Sequence, residues 1–176
     1  MDKKKFEKLL NDKTGQAQQI ILKYLPTQQI IQESYQKTVL EAMNYSVLAG
    51  GKRLRPVLMQ ETFRMFGGKG ELVEPFMAAM EDIHTYSLIH DDLPAMDNDD
   101  YRRNQLTVHK KFSEDIAILA GDALLTQAFV LASTEDYPKD VIHELSLASG
   151  ANGMIYGQEL DLKYENQEIE LKELLK

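Results

Sequence analysis

Apolar residues recur at helical spacing along nearly the whole chain, and proline or glycine interrupts each run. The spacing predicts helices over Phe6–Leu25, Gln28–Ala49, Pro56–Gly67 and Leu72–Ile89, then from Ser113 through a nearly all-apolar and therefore buried run, from Pro138 towards Tyr156, and from Glu168 onwards. No strand alternation, hairpin turn or repeat is evident. The predicted fold class is all-α, a large antiparallel helical bundle formed by a single domain over residues 1–176.

Composition excludes several classes of partner and site. Apolar residues make up 43% of the chain, which is enough for a sizeable core, and the net charge of -8 argues against a nucleic-acid partner. The absence of cysteine excludes disulfides and thiolate metal sites and fits a reducing compartment. The basic N-terminal segment lacks the apolar core of a signal peptide, and the apolar run Ile116–Ala132 is too short and too polar for a membrane span. We therefore expect a cytoplasmic protein.

The segment HDDLPAMDNDDYRR, His90–Arg103, carries five aspartates within ten residues and then two arginines, Arg102 and Arg103. Such a density of carboxylates repels itself unless a cation lies among them. Carboxylate oxygens suit Mg²⁺, which is usually held by one or two carboxylates and completes its coordination with water and substrate phosphates. Because arginines bind phosphates through paired hydrogen bonds, the segment predicts a magnesium-bridged diphosphate site.

The backbone around this segment has a predictable break. Pro94 disfavours helical backbone at Leu93, so the preceding helix should end near Asp92. Asp91 and Asp92 then lie at a helix C-terminus, where the helix dipole disfavours negative charge. Asp97 lies on another face of an unbroken helix, but the break can bring it back towards Asp91, where both would share a cation. A solvated acidic loop without a ligand is the alternative, and the residues alone leave it open.

A second segment, GGKRLRP at Gly50–Pro56, places three cations after a glycine pair at the start of a helix. Backbone N–H groups at a helix N-terminus favour anions, and glycine lets a ligand approach closely. The alternative is a helix C-cap followed by surface cations. His84 lies on the same predicted helix as Asp91, where a lone histidine is as compatible with packing as with ligand binding.

The chain resembles the trans-isoprenyl diphosphate synthases, specifically the bacterial farnesyl diphosphate synthases. The resemblance rests on GGKRLRP at Gly50–Pro56, HTYSLIHDDLPAMDNDDYRRN at His84–Asn104, TVHKKF at Thr107–Phe112, AGDALLTQAF at Ala120–Phe129 and GQELD at Gly157–Asp161. These segments follow one another in the family's order through nearly all the chain. One departure is Asn104-Gln105-Leu106, where relatives usually carry a glycine and a proline, which leaves the loop conformation after the arginines open.

The resemblance implies a role for each matching residue. Asp91 and Asp97 would bind the Mg²⁺ ions that bridge to the allylic diphosphate, and Asp92 would support them as the third catalytic acid. Arg102 would bind the allylic diphosphate. The diphosphate of the second substrate, isopentenyl diphosphate, would be held by Lys52, Arg55, His84 and Arg103.

The resemblance also implies a reaction, head-to-tail prenyl transfer from an allylic diphosphate to isopentenyl diphosphate, with Mg²⁺ as cofactor and a homodimer as the assembly. Tyr86 and Ser87 lie about one helical turn before Asp91, so a growing chain held at Asp91 would run past them. In the family, an aromatic residue at this position favours farnesyl diphosphate as the product. Geranylgeranyl diphosphate or another short-chain prenyl diphosphate is the alternative product.

Two family features that lie farther towards the C-terminus are missing from this chain, a second aspartate-rich motif and a lysine for the allylic diphosphate. We therefore expect the N-terminal portion of a synthase domain, without its C-terminal helices and inactive alone. A non-catalytic diphosphate-binding or dimerisation fragment is an alternative of another class. Another is an HD-type metal phosphohydrolase built on His90 and Asp91, which would require a further histidine on a different helix.

Overall fold

The computed structural model describes residues 2–134, 137–165 and 170–174. The chain divides into two compact units, Met1–Thr134 and Glu135–Lys176. The first unit contains, in order, α1 (Lys3–Lys23), α2 (Gln28–Glu33), α3 (Lys37–Leu48), α4 (Leu54–Met65), α5 (Glu74–Asp91), β1 (Tyr101–Arg102), β2 (Gln105–Leu106), α6 (Val108–Lys111) and α7 (Glu114–Ala132). The second contains α8 (Lys139–Ser149), α9 (Met154–Tyr164) and α10 (Leu171–Leu174). The predicted all-α class is confirmed.

Helix α5 is the centre of the first unit. It packs most extensively against α7 and also contacts α1, α3 and α4. A buried apolar cluster joins α1, α4 and α5 through Ala17, Ile20, Val57, Val73 and Met77. Gly121 of α7 allows close approach to α5, because a Cβ at this position would overlap the His90 ring. Two of the residues predicted to bind ligands, His84 and Asp91, are therefore carried on a helix that is held from several sides.

Proline and glycine set the ends of α4 and α5 as predicted. Helix α4 begins just before Pro56 and ends before Gly67, whose φ of 84° favours glycine. Helix α5 has Pro75 in its first turn and ends at Asp91, with Asp92 as its C-cap. The expected position of this aspartate pair at a helix C-terminus is therefore confirmed.

The predicted single helix over Gln28–Ala49 is wrong, because the chain breaks between α2 and α3. Ser34 has an extended backbone with ψ of 141°, and its hydroxyl donates to the Ile30 carbonyl at 2.6 Å. A serine side chain that bonds the carbonyl four residues earlier competes with the helical hydrogen bonds. Thr27 caps the short α2 by accepting from the Ile30 N–H at 3.3 Å. The apolar stripe of this region is thus divided between two helices.

A short hairpin corrects the prediction that the chain has no strands. Strands β1 and β2 pair antiparallel, and Arg103 and Asn104 form the turn between them with φ of 53° and 62°. Two successive left-handed residues define a type I′ turn, in which asparagine is well tolerated. Strands of two residues are too short to show an alternating pattern, so the sequence pattern did not reveal them. The hairpin defines the loop conformation after the arginines.

Helix α7 begins at Glu114, as predicted, but it is buried on one side only. Several of its alanines are fully buried, whereas Ile118, Leu119 and Val130 are about half exposed. The expectation of an all-round buried helix is therefore wrong. The prediction that this run is too short and too polar for a membrane span is also wrong, because α7 is long and apolar enough to cross a membrane by length and composition. Core helices of soluble proteins meet the same criterion.

In the second unit, the predicted helix that starts at Pro138 is wrong in its extent, because α8 ends at Ser149 and α9 begins anew. Gly150 has an extended backbone, and Gly153 packs so closely against α8 that a Cβ there would overlap a backbone carbonyl. Glycine is also costly inside a helix, so this pair favours a break. The predicted helix start at Glu168 lies outside the described residues.

Candidate functional site

A cationic cavity lies between the glycine turn, the middle of α5 and the hairpin. Its volume is about 450 Å³, and its lining consists of Ala49, Gly51, Lys52, Arg53, Leu54, Arg55, Glu81, His84 and Arg103. This lining includes all four residues that were predicted to hold one diphosphate, although they come from three separate segments of the chain. The structure thus brings the predicted set together around one space.

The glycine turn that forms one wall depends on backbone with positive φ. Gly50, Gly51 and Arg53 have φ of 89°, 139° and 47°. Arg103 of the hairpin donates from its guanidinium to the Gly50 carbonyl. The same guanidinium lies against Gly51, where a Cβ would come within 3.0–3.1 Å of it. Glycine at position 51 therefore lets the arginine rest on the backbone, which joins the turn to the hairpin.

Arg53 differs from its two cationic neighbours because it is almost fully buried. It forms an ion pair with the buried Glu81, donates to the Gln18 side chain at 2.8 Å and also donates to the Val47 carbonyl. These partners lie on α5, α1 and α3, so Arg53 ties the start of α4 to three other helices. Glu81 balances its charge, which leaves the excess positive charge of the cavity to the other cations. The residue pattern alone did not distinguish Arg53 from its neighbours, although the resemblance assigned a diphosphate only to Lys52 and Arg55.

The charges around the cavity act on His84 and Arg103. Burial lowers the pKa of His84, and the charges of Arg55, Arg103 and Arg53 lower it further, against the opposing effect of Glu81. Burial likewise lowers the pKa of Arg103, with the neighbouring Arg53 adding to the effect. Crowded cations of this kind favour an anion between them. His84 carries at least one ring N–H in either protonation state, with which it can donate to that anion.

The acidic segment folds back on itself at the end of α5. The Asp97 N–H donates to the Asp91 carbonyl at 2.8 Å, and the Asn98 N–H donates to the Leu93 carbonyl at 3.1 Å. Asn98 closes the turn in a left-handed conformation with φ of 53°. The break at Pro94 therefore returns Asp97 to Asp91, as the sequence predicted.

Cations of the protein itself neutralise three carboxylates of this segment. The buried Asp92 accepts from Arg102 Nε at 2.7 Å and from its Nη2 at 2.6 Å, and Asp99 lies 3.7 Å from the same guanidinium. Asp100 pairs with Lys110 at 2.9 Å. Burial raises the pKa of Asp92, and Arg102 opposes that rise. Part of the segment therefore needs no bound cation to balance its charge, which agrees in part with the alternative of an acidic loop without a ligand. Arg102, which was predicted to contact a diphosphate, also holds Asp92.

Asp91 and Asp97 fit a divalent cation that requires a second ligand to complete its coordination. Asp97 makes no side-chain hydrogen bond or ion pair with any described residue. Nor do the described ranges contain a group of three acidic or histidine side chains that could hold a metal without help. Mg²⁺ is commonly bound by one or two carboxylates, with water and phosphate oxygens in the other positions. The donor set therefore suits magnesium together with a diphosphate.

Tyr86 and Ser87 lie on α5 before the acidic turn. Tyr86 is buried, and its ring meets the His90 ring edge-on, with 5.7 Å between centroids. Burial raises the pKa of Tyr86, and the Asp91 carboxylate adds to the rise. The Ser87 hydroxyl instead donates to the carbonyl of the residue three positions earlier, at 2.9 Å. Of the two, Tyr86 presents the bulky apolar body beside the acidic turn.

His90 does not form the centre that an HD-type phosphohydrolase requires. Its Nε2 lies 3.1 Å from the Ile118 carbonyl and 4.0 Å from the Asp122 carboxylate, both on α7. No further histidine joins it in a metal-binding group in the part of the chain that the structure describes. The geometry therefore gives this alternative no support.

Comparisons with known proteins agree on one family. The polyprenyl synthetase family model matches residues 36–176. The farnesyl diphosphate synthase of Micrococcus luteus is 55% identical over 143 residues, which cover 79% of this chain and 49% of that protein. The farnesyl diphosphate synthase of Escherichia coli is 51% identical over 143 residues, covering 77% of this chain and 48% of that protein. The crystal structure of an FPP/GFPP synthase from Zymomonas mobilis has a TM-score of 0.81 and 38% identity, covering 93% of this chain and 59% of that chain. The chain thus spans about half the length of the curated relatives that it matches.

Proposed function

Because the chain belongs to the polyprenyl synthetase family, we propose that it carries metal-binding and diphosphate-binding residues of a prenyltransferase. The reaction is the condensation of isopentenyl diphosphate with dimethylallyl or geranyl diphosphate, and the product is farnesyl diphosphate. Relatives named farnesyl diphosphate synthase, at 55% and 51% identity, support this choice of product. Geranylgeranyl diphosphate or another short-chain prenyl diphosphate is the alternative product, because the product length depends on the proposed role of Tyr86 and Ser87 in limiting chain growth.

The observation that carries the proposal is the cationic cavity and its link to the acidic turn. Lys52, Arg55, His84 and Arg103 line one space of diphosphate-binding character. Arg102, the residue before Arg103, donates a hydrogen bond to Asp92 at the end of α5. One hairpin therefore joins a site suited to the diphosphate of isopentenyl diphosphate with a site suited to a metal-bound allylic diphosphate.

Each group has a defined task in this proposal. The cavity cations hold and orient isopentenyl diphosphate, and a ring N–H of His84 donates a hydrogen bond to it. Asp91 and Asp97 would hold Mg²⁺, which when bound supplies stabilisation of negative charge on the departing diphosphate. Arg102 uses two of its donors on Asp92, so it is fixed beside the acidic turn with further donors left for a phosphate. The apolar residues of α5 would shield the reacting carbon from water.

Four broader features belong to the same proposal. We place the protein in the cytoplasm, without a nucleic-acid partner or a membrane span, and as a homodimer. The net charge of -8 supports the absence of nucleic acid, and the exposed apolar side chains of α7 support association with a second copy.

Binding and turnover are tested separately. Calorimetry of the chain with isopentenyl diphosphate should show binding that Lys52→Ala weakens by at least about tenfold, equivalent to about 1.4 kcal/mol. Lys69→Ala is the matched control. Gly67-Gly68-Lys69 has the same sequence as Gly50-Gly51-Lys52 but lies on an exposed turn that does not line the cavity. Equal weakening by both substitutions, or no binding by the parent chain, would refute the assignment of the cavity.

Turnover is tested with a chimera in which residues 1–176 replace the matching part of the Micrococcus luteus relative. The proposal expects magnesium-dependent formation of farnesyl diphosphate by this chimera and loss of activity in its Asp91→Ala variant. If the chain bound isopentenyl diphosphate but the chimera were folded and inactive, the results would instead support the non-catalytic binding role.

A further inference from the structure

The segment after the hairpin carries two buried polar residues that the proposed reaction does not use. Thr107 and His109 are 2% and 7% exposed. The Thr107 hydroxyl lies 2.8 Å from the Asp99 carbonyl, 3.4 Å from the Asp100 carbonyl and 3.1 Å from His109 Nδ1. The Thr107 N–H also donates to the Asp100 carbonyl at 3.0 Å. One threonine thus bonds two successive carbonyls of the acidic loop and an imidazole.

The hydrogen bonds of Thr107 indicate which ring nitrogen of His109 carries a hydrogen. A carbonyl oxygen only accepts, so the single hydroxyl hydrogen of Thr107 goes to Asp99, the shorter contact. The hydroxyl oxygen must then accept from His109 Nδ1, which therefore carries a hydrogen. The other ring nitrogen, Nε2, is buried and has no hydrogen-bond partner among the residues that the structure describes. An unpaired buried group of this kind costs about 1–3 kcal/mol. Among the described residues the ring is hydrogen-bonded through Nδ1 to Thr107.

The imidazole belongs to the cluster that organises the acidic segment. Burial raises the pKa of Asp92, and the charges of Arg102 and His109 oppose that rise, which places His109 within electrostatic reach of this carboxylate. The loop is anchored at one end by the Asp97 N–H on the Asp91 carbonyl. Its other end is anchored by Thr107, so the position of the loop depends on both anchors.

We propose that Thr107 and His109 are positioning residues for the acidic loop. His109 Nδ1–H donates to the Thr107 hydroxyl oxygen, which orients the hydroxyl hydrogen towards the Asp99 carbonyl and so fixes the loop. The inference rests on the proposed function, because the loop presents Asp97 to a magnesium diphosphate. Without the imidazole donor the hydroxyl loses the partner that orients it. Without the hydroxyl this end of the loop still keeps the backbone bond of Thr107, the ion pair between Lys110 and Asp100 and the longer contact of Asp99 with Arg102, but it loses its bond to the Asp99 carbonyl.

The hydrogen-bond arrangement is tested on the ligand-free chain by nitrogen-15 NMR of the imidazole and by amide exchange. We expect His109 to carry its hydrogen on Nδ1. Thr107→Val keeps the shape but removes the hydroxyl, so it should change the His109 ring signals and speed amide exchange in residues 97–100 by about tenfold. Thr107→Ser restores the hydroxyl and should keep both properties. A neutral His109 with its hydrogen on Nε2, or equal exchange in the two variants, would overturn the proposal.

The consequence for ligand binding is tested by calorimetry with Mg²⁺ and inorganic pyrophosphate. Loss of a supporting partner behind a metal site costs about tenfold or more in affinity, so Thr107→Val and His109→Leu should both weaken binding to this extent. Thr107→Ser and His109→Asn, whose amide nitrogen takes roughly the place of Nδ1, should retain it. Thermal unfolding of the four variants shows whether each is folded before its affinity is compared.

The two measurements separate failure of the inference from failure of the proposed function. A parent chain that binds no magnesium pyrophosphate refutes the proposed function, while the NMR measurement still decides whether Thr107 and His109 hold the loop. A parent chain that binds, together with Thr107→Val that binds equally well, refutes the positioning role and leaves the proposed function intact.

Discussion

At the scale of single residues, Asp82 is an acid in an environment that disfavours its charge. It is buried on α5 beside Glu81 and makes no hydrogen bond or ion pair with the residues that are described. Burial raises its pKa from the ordinary 3.8 to about 8, and the charge of Glu81 adds to the rise. Above its ordinary pKa the unfolded chain ionises while the folded chain retains the proton. Folding stability therefore falls as the pH rises from about 4 to about 8.

Asp82→Asn removes this titration. We expect the stability of the variant relative to the parent to increase with pH, by at most about 1.4 kcal/mol per pH unit, and to level off above about pH 8. Urea unfolding at about pH 5 and about pH 8 measures the change. Asp12→Asn, at an exposed position on α1, is the control and should show the same small difference at both values. A constant difference for Asp82→Asn would contradict the burial argument.

Tyr86 is the residue on which the proposed product length depends. Its ring is buried beside Asp91, where it would block a chain that grows along α5. In the chimera, Tyr86→Ala should shift the product from farnesyl diphosphate to geranylgeranyl diphosphate. Tyr86→Phe keeps the ring and should keep farnesyl diphosphate. An unchanged product from an active Tyr86→Ala chimera would leave Tyr86 as a packing residue only.

At the scale of elements, two helical glycines give opposite expectations. A Cβ at Gly121 would overlap the His90 ring between α7 and α5, so Gly121→Ala should destabilise the protein by about 1–3 kcal/mol. Gly15 lies in the middle of α1 with nothing within 4 Å of an added Cβ, so Gly15→Ala should stabilise it by about 0.5–1 kcal/mol. Chemical denaturation of both variants measures the pair. The same sign for both would mean that helix packing is not what distinguishes them.

Helices that proline or glycine delimits were predictable, and the breaks made by other means were not. Pro56, Gly67 and Pro75 mark helix ends that the structure confirms. The break at Ser34 depends on a side chain that bonds a backbone carbonyl, which apolar spacing does not register. The hairpin depends on two left-handed residues, Arg103 and Asn104, neither of which is the glycine that signals such turns most strongly.

At the scale of the whole molecule, the site was predictable as a set of residues but not as a network. Sequence motifs named Lys52, His84 and Arg103, and the resemblance supplied their shared role before any geometry linked them. The ion pair of Arg53 with Glu81 and the bond from Thr107 to the Asp99 carbonyl join residues that lie apart along the chain and that only the fold brings together. Partners of this kind leave no periodic or local signal, so they emerge only from coordinates.

The exposed face of α7 carries the last expectation, that the chain forms a homodimer. Leu119 is 50% exposed, and Ile118 and Val130 on the same helix are also about half exposed. Several large apolar side chains left in water on one helix indicate an interaction surface, and closed two-fold dimers bury such a patch against its own copy. We expect the parent chain to sediment as a dimer.

Leu119→Asp tests which face makes that contact, because a charge buried at the centre of an apolar interface cannot be hydrated. The variant should sediment as a monomer while keeping its helical circular dichroism. Leu58→Asp is the matched control, since Leu58 is 65% exposed on α4, outside the α7 face, and this variant should remain dimeric. A monomeric parent chain would refute the homodimer. If Leu58→Asp dissociated the dimer and Leu119→Asp did not, the interface would lie on α4 and not on α7, because the charge disrupts only the surface that the second copy covers.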